Sequence, residues 1–140
     1  MKKIVFVCLG NICRSPMAEF VMKSLTDQLK IESRATSGWE HGNPIHRGTQ
    51  AIFKKYAISY DRNKTSQQIS AADFADFDYI IGMDESNVRD LKRMAPEDFQ
   101  HKIYQFEEEG VPDPWYTGDF DQTYDLVLAG CKKWLERLDG

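Results

Sequence analysis

Cysteine is scarce in this chain of 140 residues, with three in all, and an odd count cannot close into a fully paired disulfide framework. A reducing cytoplasm is therefore the expected setting. No run or stripe of lysine and arginine occurs and the formal net charge is −4, so nothing points to nucleic acid. No apolar stretch approaches the roughly 20 residues that a helix needs to cross a bilayer, and no membrane partner is expected. Met1-Lys2-Lys3 before an apolar run faintly imitates a secretion signal. Residues 4–9 are too short for its apolar core, however, and Asn11 and Arg14 end the run. Internal repeats, low-complexity tracts and linker-like segments are also missing. At 41% hydrophobic the chain has material for one core, which predicts a single domain over 1–140.

What is present is an alternation of strand and helix signals. Ile4-Val5-Phe6-Val7 is β-branched and aromatic, predicting a buried strand over 3–7. Phe20, Val21, Leu25 and Leu29 then recur at helical spacing, predicting a helix over 16–30 with Ser15 as N-cap and Pro16 in its first position. A strand over 32–37 ends at Gly38, and a helix over 47–56 turns Ala51, Ile52 and Tyr56 inward. The polar segment 57–70 reads as irregular, and Ser70 opens a short helix. A strand over 79–83 leads to a helix over 85–94 capped by Asp84. A weaker strand over 102–106, a proline-rich loop over 111–115 and a helix over 120–138 complete the chain, the last with Tyr124, Leu128, Cys131, Leu135 and Leu138 on one face. This pattern predicts an α/β fold in three layers. Its centre is a doubly wound, four-stranded parallel sheet in the flavodoxin-like order 2-1-3-4, with helices on both faces. Ligands of such sheets bind beyond the carboxyl ends of the strands, so residues 8–14, residues 37–39, Asp84 and Asp113 should share one rim.

The first of these loops carries chemistry. Cys8-Leu9-Gly10-Asn11-Ile12-Cys13-Arg14-Ser15 joins a strand to a helix, with five residues between the thiol and the guanidinium. Such a turn points backbone N–H groups of residues 9–14 and the positive end of the helix dipole into one concavity. The concavity suits a tetrahedral oxyanion, Arg14 adds a planar fork, and the same field stabilises negative charge on the Cys8 sulfur. Gly10 permits a positive φ or a close approach, and Asn11 tolerates a left-handed backbone while its side chain braces the loop. Ser15 can donate to the sulfur. A phosphate cradle with a nucleophile on its floor implies phosphoryl transfer through a cysteinyl-phosphate. Expelling an aryl leaving group then asks for a proton donor on an opposing loop; Asp113, fixed between Pro112 and Pro114, could supply it or be a simple turn residue.

Val7-Cys8-Leu9-Gly10-Asn11-Ile12-Cys13-Arg14-Ser15-Pro16 closely resembles the signature of the low-molecular-weight protein tyrosine phosphatases. The resemblance continues in order through Thr36-Ser37-Gly38-Trp39, Phe77-Asp78-Tyr79-Ile80, Met83-Asp84-Glu85-Ser86-Asn87 and Asp113-Pro114-Trp115-Tyr116, and so spans essentially the whole chain. It implies Cys8 as nucleophile, Arg14 as phosphate ligand and Asp113 as general acid and base, acting on phosphotyrosine proteins or other aryl phosphates without metal or cofactor. Leu9, Gly10, Asn11, Ile12 and Cys13 complete the phosphate site, with Asn11, Ser15 and Ser37 supporting it. Ile12, Trp39, Trp115 and Tyr116 would wall the cleft around an aryl group. Cys13 is either a redox guard for Cys8 or a packed loop cysteine. One departure stands out: many members carry a histidine followed by Ala-Arg-Gln where this chain has Lys64-Thr65-Ser66-Gln67-Gln68 before Ile69.

Four rival readings are weaker. Cys8, Cys13, His41 and His46 loosely imitate a zinc site, but the pairs stand 27 residues apart and Arg14 would oppose a cation. Arsenate reductases use a related loop but relay electrons through further cysteines, and here Cys131 falls on a core-facing stripe. Arginine phosphatases of the family tend to carry threonine at Ile12. A catalytically silent phosphate-binding module would have no need of both Cys8 and Asp113.

Overall fold

A computed structural model describes residues 1–139. Its elements in order are β1 (Lys3–Cys8), α1 (Arg14–Leu25), β2 (Lys30–Ala35), α2 (Arg47–Lys55), α3 (Ala71–Asp76), β3 (Tyr79–Gly82) and α4 (Glu85–Met94). A 3₁₀ turn (Glu97–Lys102), β4 (Ile103–Gln105), α5 (Pro114–Thr117) and α6 (Phe120–Asp139) follow. The four strands are all parallel, in the order β2-β1-β3-β4. This is the predicted architecture.

Alternate residues of β1 point to opposite faces, and both faces are apolar. Ile4, Phe6 and Cys8 enter one buried cluster with Met17, Val21, Phe53, Val127 and Trp134, beneath α1, α2 and α6. Val5 and Val7 enter the other with Phe74, Phe77, Ile80 and Leu91, beneath α3 and α4. Strand registers pair Cys8 with Ala35, Val7 with Gly82 and Gly82 with Gln105. The carboxyl ends are therefore level, and the loops that leave them share one rim.

Several boundaries and two helix faces differ from expectation. α1 starts at Arg14 and its N-cap is Cys13, with no side-chain cap bond, because the Ser15 hydroxyl is engaged elsewhere. It also stops at Leu25: Leu29 reaches the core from the turn that follows, and β2 begins at Lys30. On α2 the buried residues are Thr49, Ile52 and Phe53, while Ala51 is exposed. Tyr56, the residue that ends the helix, keeps 38% of its surface exposed with one ring face stacked on Tyr124 of α6 at 3.9 Å. The buried stripe of α6 runs through Thr123, Tyr124, Val127, Gly130, Cys131, Trp134 and Leu138, leaving Leu128 and Leu135 half-buried.

Candidate active site

The loop from Cys8 to Arg14 is shaped by where its carbonyls go. Cys8 O accepts from Thr36 N at 2.9 Å, and Leu9 O accepts from Ser37 N at 3.1 Å and Ser37 Oγ at 2.8 Å. Gly10 O takes Ser66 Oγ at 2.7 Å, Ile12 O takes His46 N at 2.8 Å and Cys13 O takes Thr49 Oγ1 at 3.1 Å. Across a planar trans peptide the N–H opposes the C=O, so carbonyls drawn outward leave the following amides turned into the loop. Asn11 holds φ at 55°, a left-handed value an asparagine tolerates. Gly10 has no positive φ; a Cβ there would lie 3.3 Å from Glu40 Cγ, so close approach is what its hydrogen permits.

Inside this ring sits the Cys8 sulfur, on a residue only 3% exposed. Ser15 Oγ lies 3.0 Å from it, and the backbone N–H groups of Asn11 and Ser15 donate to it at 3.3 and 3.4 Å. Asn11 Nδ2 donates to Ser15 Oγ at 2.8 Å, so the hydroxyl hydrogen is left for the sulfur at 3.0 Å or the longer contact to Arg34 O at 3.4 Å. Asn11 Oδ1 in turn accepts from Gln67 N at 3.1 Å. The brace at this point of the loop is the Ser66 hydroxyl and the Gln67 amide.

Arg14 is also 3% exposed. Its Nη1 donates to Asp84 Oδ2 at 2.6 Å and to Val111 O at 2.9 Å, whereas Nη2 reaches Asp113 Oδ2 only at 3.4 Å. Its Nε is buried without a partner. One edge of the guanidinium is thus anchored, while on the other Nε has no partner and Nη2 only the long contact to Asp113, a pair of donors suited to an oxyanion. Burial alone would lower the guanidinium pKa; the negative charges of Cys8, Asp84 and Asp113 outweigh it and hold the group above its ordinary value. At Cys13 burial pushes the thiol up, with the charges of Cys8 and Asp113 adding to it. At Cys131 burial alone does the same.

Above the loop lies a cavity of about 230 Å³ lined by Cys8, Ile12, Ser37, Trp39, Asp113, Trp115 and Tyr116 among others. Asp113 N-caps α5, its Oδ1 accepting from Trp115 N at 3.1 Å. Trp39 and Tyr116 are 80% and 77% exposed, so the cavity is open to solvent. The Trp115 ring, 56% exposed, packs edge-on to His46, which is itself stacked on Phe120 at 5.2 Å. His46 Nδ1 caps α2 by accepting from Gly48 N, and among the described residues no three His, Cys, Asp or Glu side chains gather as metal ligands.

Geometry and ancestry agree. The family described as low molecular weight phosphotyrosine protein phosphatase matches residues 3–140. The chain belongs to this family. It is a low-molecular-weight protein tyrosine phosphatase, an enzyme of the phosphoric monoester hydrolase class. It is 45% identical over 141 residues to the low molecular weight protein-tyrosine-phosphatase PtpA of Staphylococcus aureus, covering 94% of this chain and 90% of that one. SP-PTP, the low molecular weight protein tyrosine phosphatase from Streptococcus pyogenes, superposes with a TM-score of 0.97 at 64% identity, covering 99% and 93% of the two chains. A drosophila arginine phosphatase superposes with a TM-score of 0.89 at 31% identity, covering 100% and 99%. No helix among the described residues is long and apolar enough to cross a membrane.

In this phosphatase the catalytic, supporting and wall residues singled out from the sequence lie on the loop, beside it or around its cavity, whereas Cys131 lies in the core. Sequence reasoning missed the groups that hold the loop from behind: Ser66, Gln67, His46, Thr49 and the Val111 carbonyl. It placed Asp84 on the rim as a helix cap and did not pair it with Arg14. Only the sheet order, which sets the ends of β1 and β3 side by side, could have suggested that pair.

Proposed function

We propose that this phosphatase hydrolyses phosphotyrosine and related aryl phosphate monoesters through a cysteinyl-phosphate. The observation that carries the reading is Cys8 Sγ at the centre of inward-turned amides, beside a buried Arg14 whose Nε has no partner. Phosphate oxygens take Nε and Nη2, displacing the long contact to Asp113. The sulfur attacks phosphorus as the P–O bond to the phenol breaks, and Asp113 gives its proton to the departing oxygen. Water then attacks the cysteinyl-phosphate, Asp113 takes its proton, and the S–P bond breaks to release inorganic phosphate. The Ser15 hydroxyl stabilises the departing thiolate. Ile12, apolar and bordering the cavity, together with Trp39, Trp115 and Tyr116, favours an aryl group over phosphoarginine. A free thiol as nucleophile suits a reducing compartment, and supports the cytoplasm as the setting of the reaction.

Cys8→Ser tests the nucleophile. Hydrolysis of an aryl phosphate should fall to background with Tm unchanged within a few degrees, and residual turnover would sink the assignment. Asp113→Ala should slow the enzyme most for phenols of high pKa; equal slowing across leaving groups removes Asp113 as the acid. Matched phosphotyrosine and phosphoarginine peptides decide the substrate.

A further inference from the structure

A cationic groove runs beside the active-site rim. It lies between the outer face of α2 and the loop over 57–62, encloses about 750 Å³, and is walled by Arg47, Gln50, Lys54, Tyr60 and Arg62. None of its lining residues is acidic, although acidic side chains outnumber basic ones by 22 to 18 in the chain. Among the described residues Arg47, Lys54 and Arg62 form no ion pair. Lys55, one position on and facing α6, is by contrast paired with Asp121 at 2.8 Å. The groove has ordered walls: Tyr60 Oη donates to Gln50 Oε1 at 3.2 Å, and the Arg62 guanidinium sits 5.9 Å from the Tyr60 ring centroid. Its Arg47 end adjoins the phosphate loop, because His46, the preceding residue, donates its N–H to Ile12 O and packs its ring against Trp115.

We propose that this groove docks an acidic segment of the phosphoprotein whose phosphotyrosine occupies the loop at Cys8, an assignment that rests on the phosphatase reading above. A concavity with three uncompensated cations on an otherwise acidic protein attracts carboxylates and steers their approach. Its Arg47 end, beside the phosphate loop, lets one polypeptide reach both places. A net charge of −4 repels the long phosphate backbone of a nucleic acid, so a short acidic tract is the fitting occupant.

Phosphotyrosine peptides carrying a glutamate tract on the amino side, on the carboxyl side, or on neither test it. One of the two acidic peptides should show kcat/KM about tenfold above the neutral one, as three rim charge pairs would give, mainly through KM and shrinking as salt is raised. The combined Arg47→Glu, Lys54→Glu and Arg62→Glu variant should lose that preference while hydrolysing a small aryl phosphate as before. An enzyme active on the aryl phosphate but indifferent to either tract overturns the docking site alone, as does a preference that survives the charge reversal. Competition by a single-stranded oligonucleotide but not by polyglutamate would also overturn it. A wild-type enzyme inert toward the aryl phosphate overturns the phosphatase reading itself.

Discussion

Arg14 is committed on one edge before any substrate arrives. Asp84 contributes both carboxylate oxygens to separate tasks: Oδ2 receives Arg14 Nη1 at 2.6 Å, and Oδ1 receives Asn87 N at 2.8 Å as the cap of α4. From the sequence the cap alone accounts for the residue, so its second task was not legible. Ser15 shows the converse. Its type and place suggest a helix cap, yet the neighbouring sulfur and Asn11 claim its hydroxyl, and the helix starts without one. The double duty of Asp84 yields a separable prediction. Asp84→Asn keeps a good capping oxygen but removes the charge opposite Arg14. With the one amide oxygen kept on Asn87 N, the new NH2 faces Arg14 Nη1 where Oδ2 accepted. Stability should therefore fall by about 1–3 kcal/mol and kcat/KM roughly tenfold, about 1.4 kcal/mol of transition-state stabilisation. Asp84→Ala should add about 1 kcal/mol of lost stability by removing the cap. An Asp84→Asn enzyme with unaltered kcat/KM would mean that Val111 O alone positions the guanidinium.

Helix ends and helix faces were the least legible elements, because distant partners decide them. The last helix illustrates this. Leu128 and Leu135 are apolar and at helical spacing, but Trp134 takes the inner position since its indole N–H finds Phe106 O at 2.8 Å. Gly130 makes that packing possible, as a Cβ there would lie 2.3 Å from the Phe106 ring. The end of α2 carries the clearest local cost. Ala57 holds φ at 54° just beyond the helix, where Ile58 N donates back to Phe53 O at 2.8 Å, the left-handed cap that glycine usually fills. Its methyl group is exposed, so nothing is lost from the core when it is removed. Ala57→Gly should stabilise the protein by about 0.5–1 kcal/mol, since relief of the left-handed strain exceeds the extra chain entropy. Thermal unfolding checks it, and a lowered Tm would mean that the turn is not strained.

The arrangement of the whole molecule was legible at the level of the rim. Parallel strands bring the ends of β1, β2, β3 and β4 level, and the alternation that predicts such a sheet needs only the apolar runs at 4–7 and 79–83 with the weaker strand signals at 32–37 and 102–106. What periodicity could not supply was the segment 64–68, which has no regular element. It nonetheless reaches the phosphate loop through Ser66 and Gln67 and β2 through Lys64 Nζ, which donates to Ser33 O at 2.8 Å. The proposed oxyanion site is therefore assembled from four parts of the chain: the β1–α1 loop, residues 64–68, Asp84 after β3, and residues 111–113 after β4. None of them forms the site alone, so occupancy of the site must be linked to folding of the entire chain. Inorganic phosphate at about 100 times its Kd should stabilise the fold by about 2.7 kcal/mol, which for a chain of this length raises Tm by roughly 8–10 °C. Arg14→Lys keeps the charge but not the fork, and measured from its own ligand-free Tm it should lose most of that rise. A full rise in the Arg14→Lys protein would show that the loop amides hold the anion unaided, and the long contact to Asp113 would then have no part in admitting it.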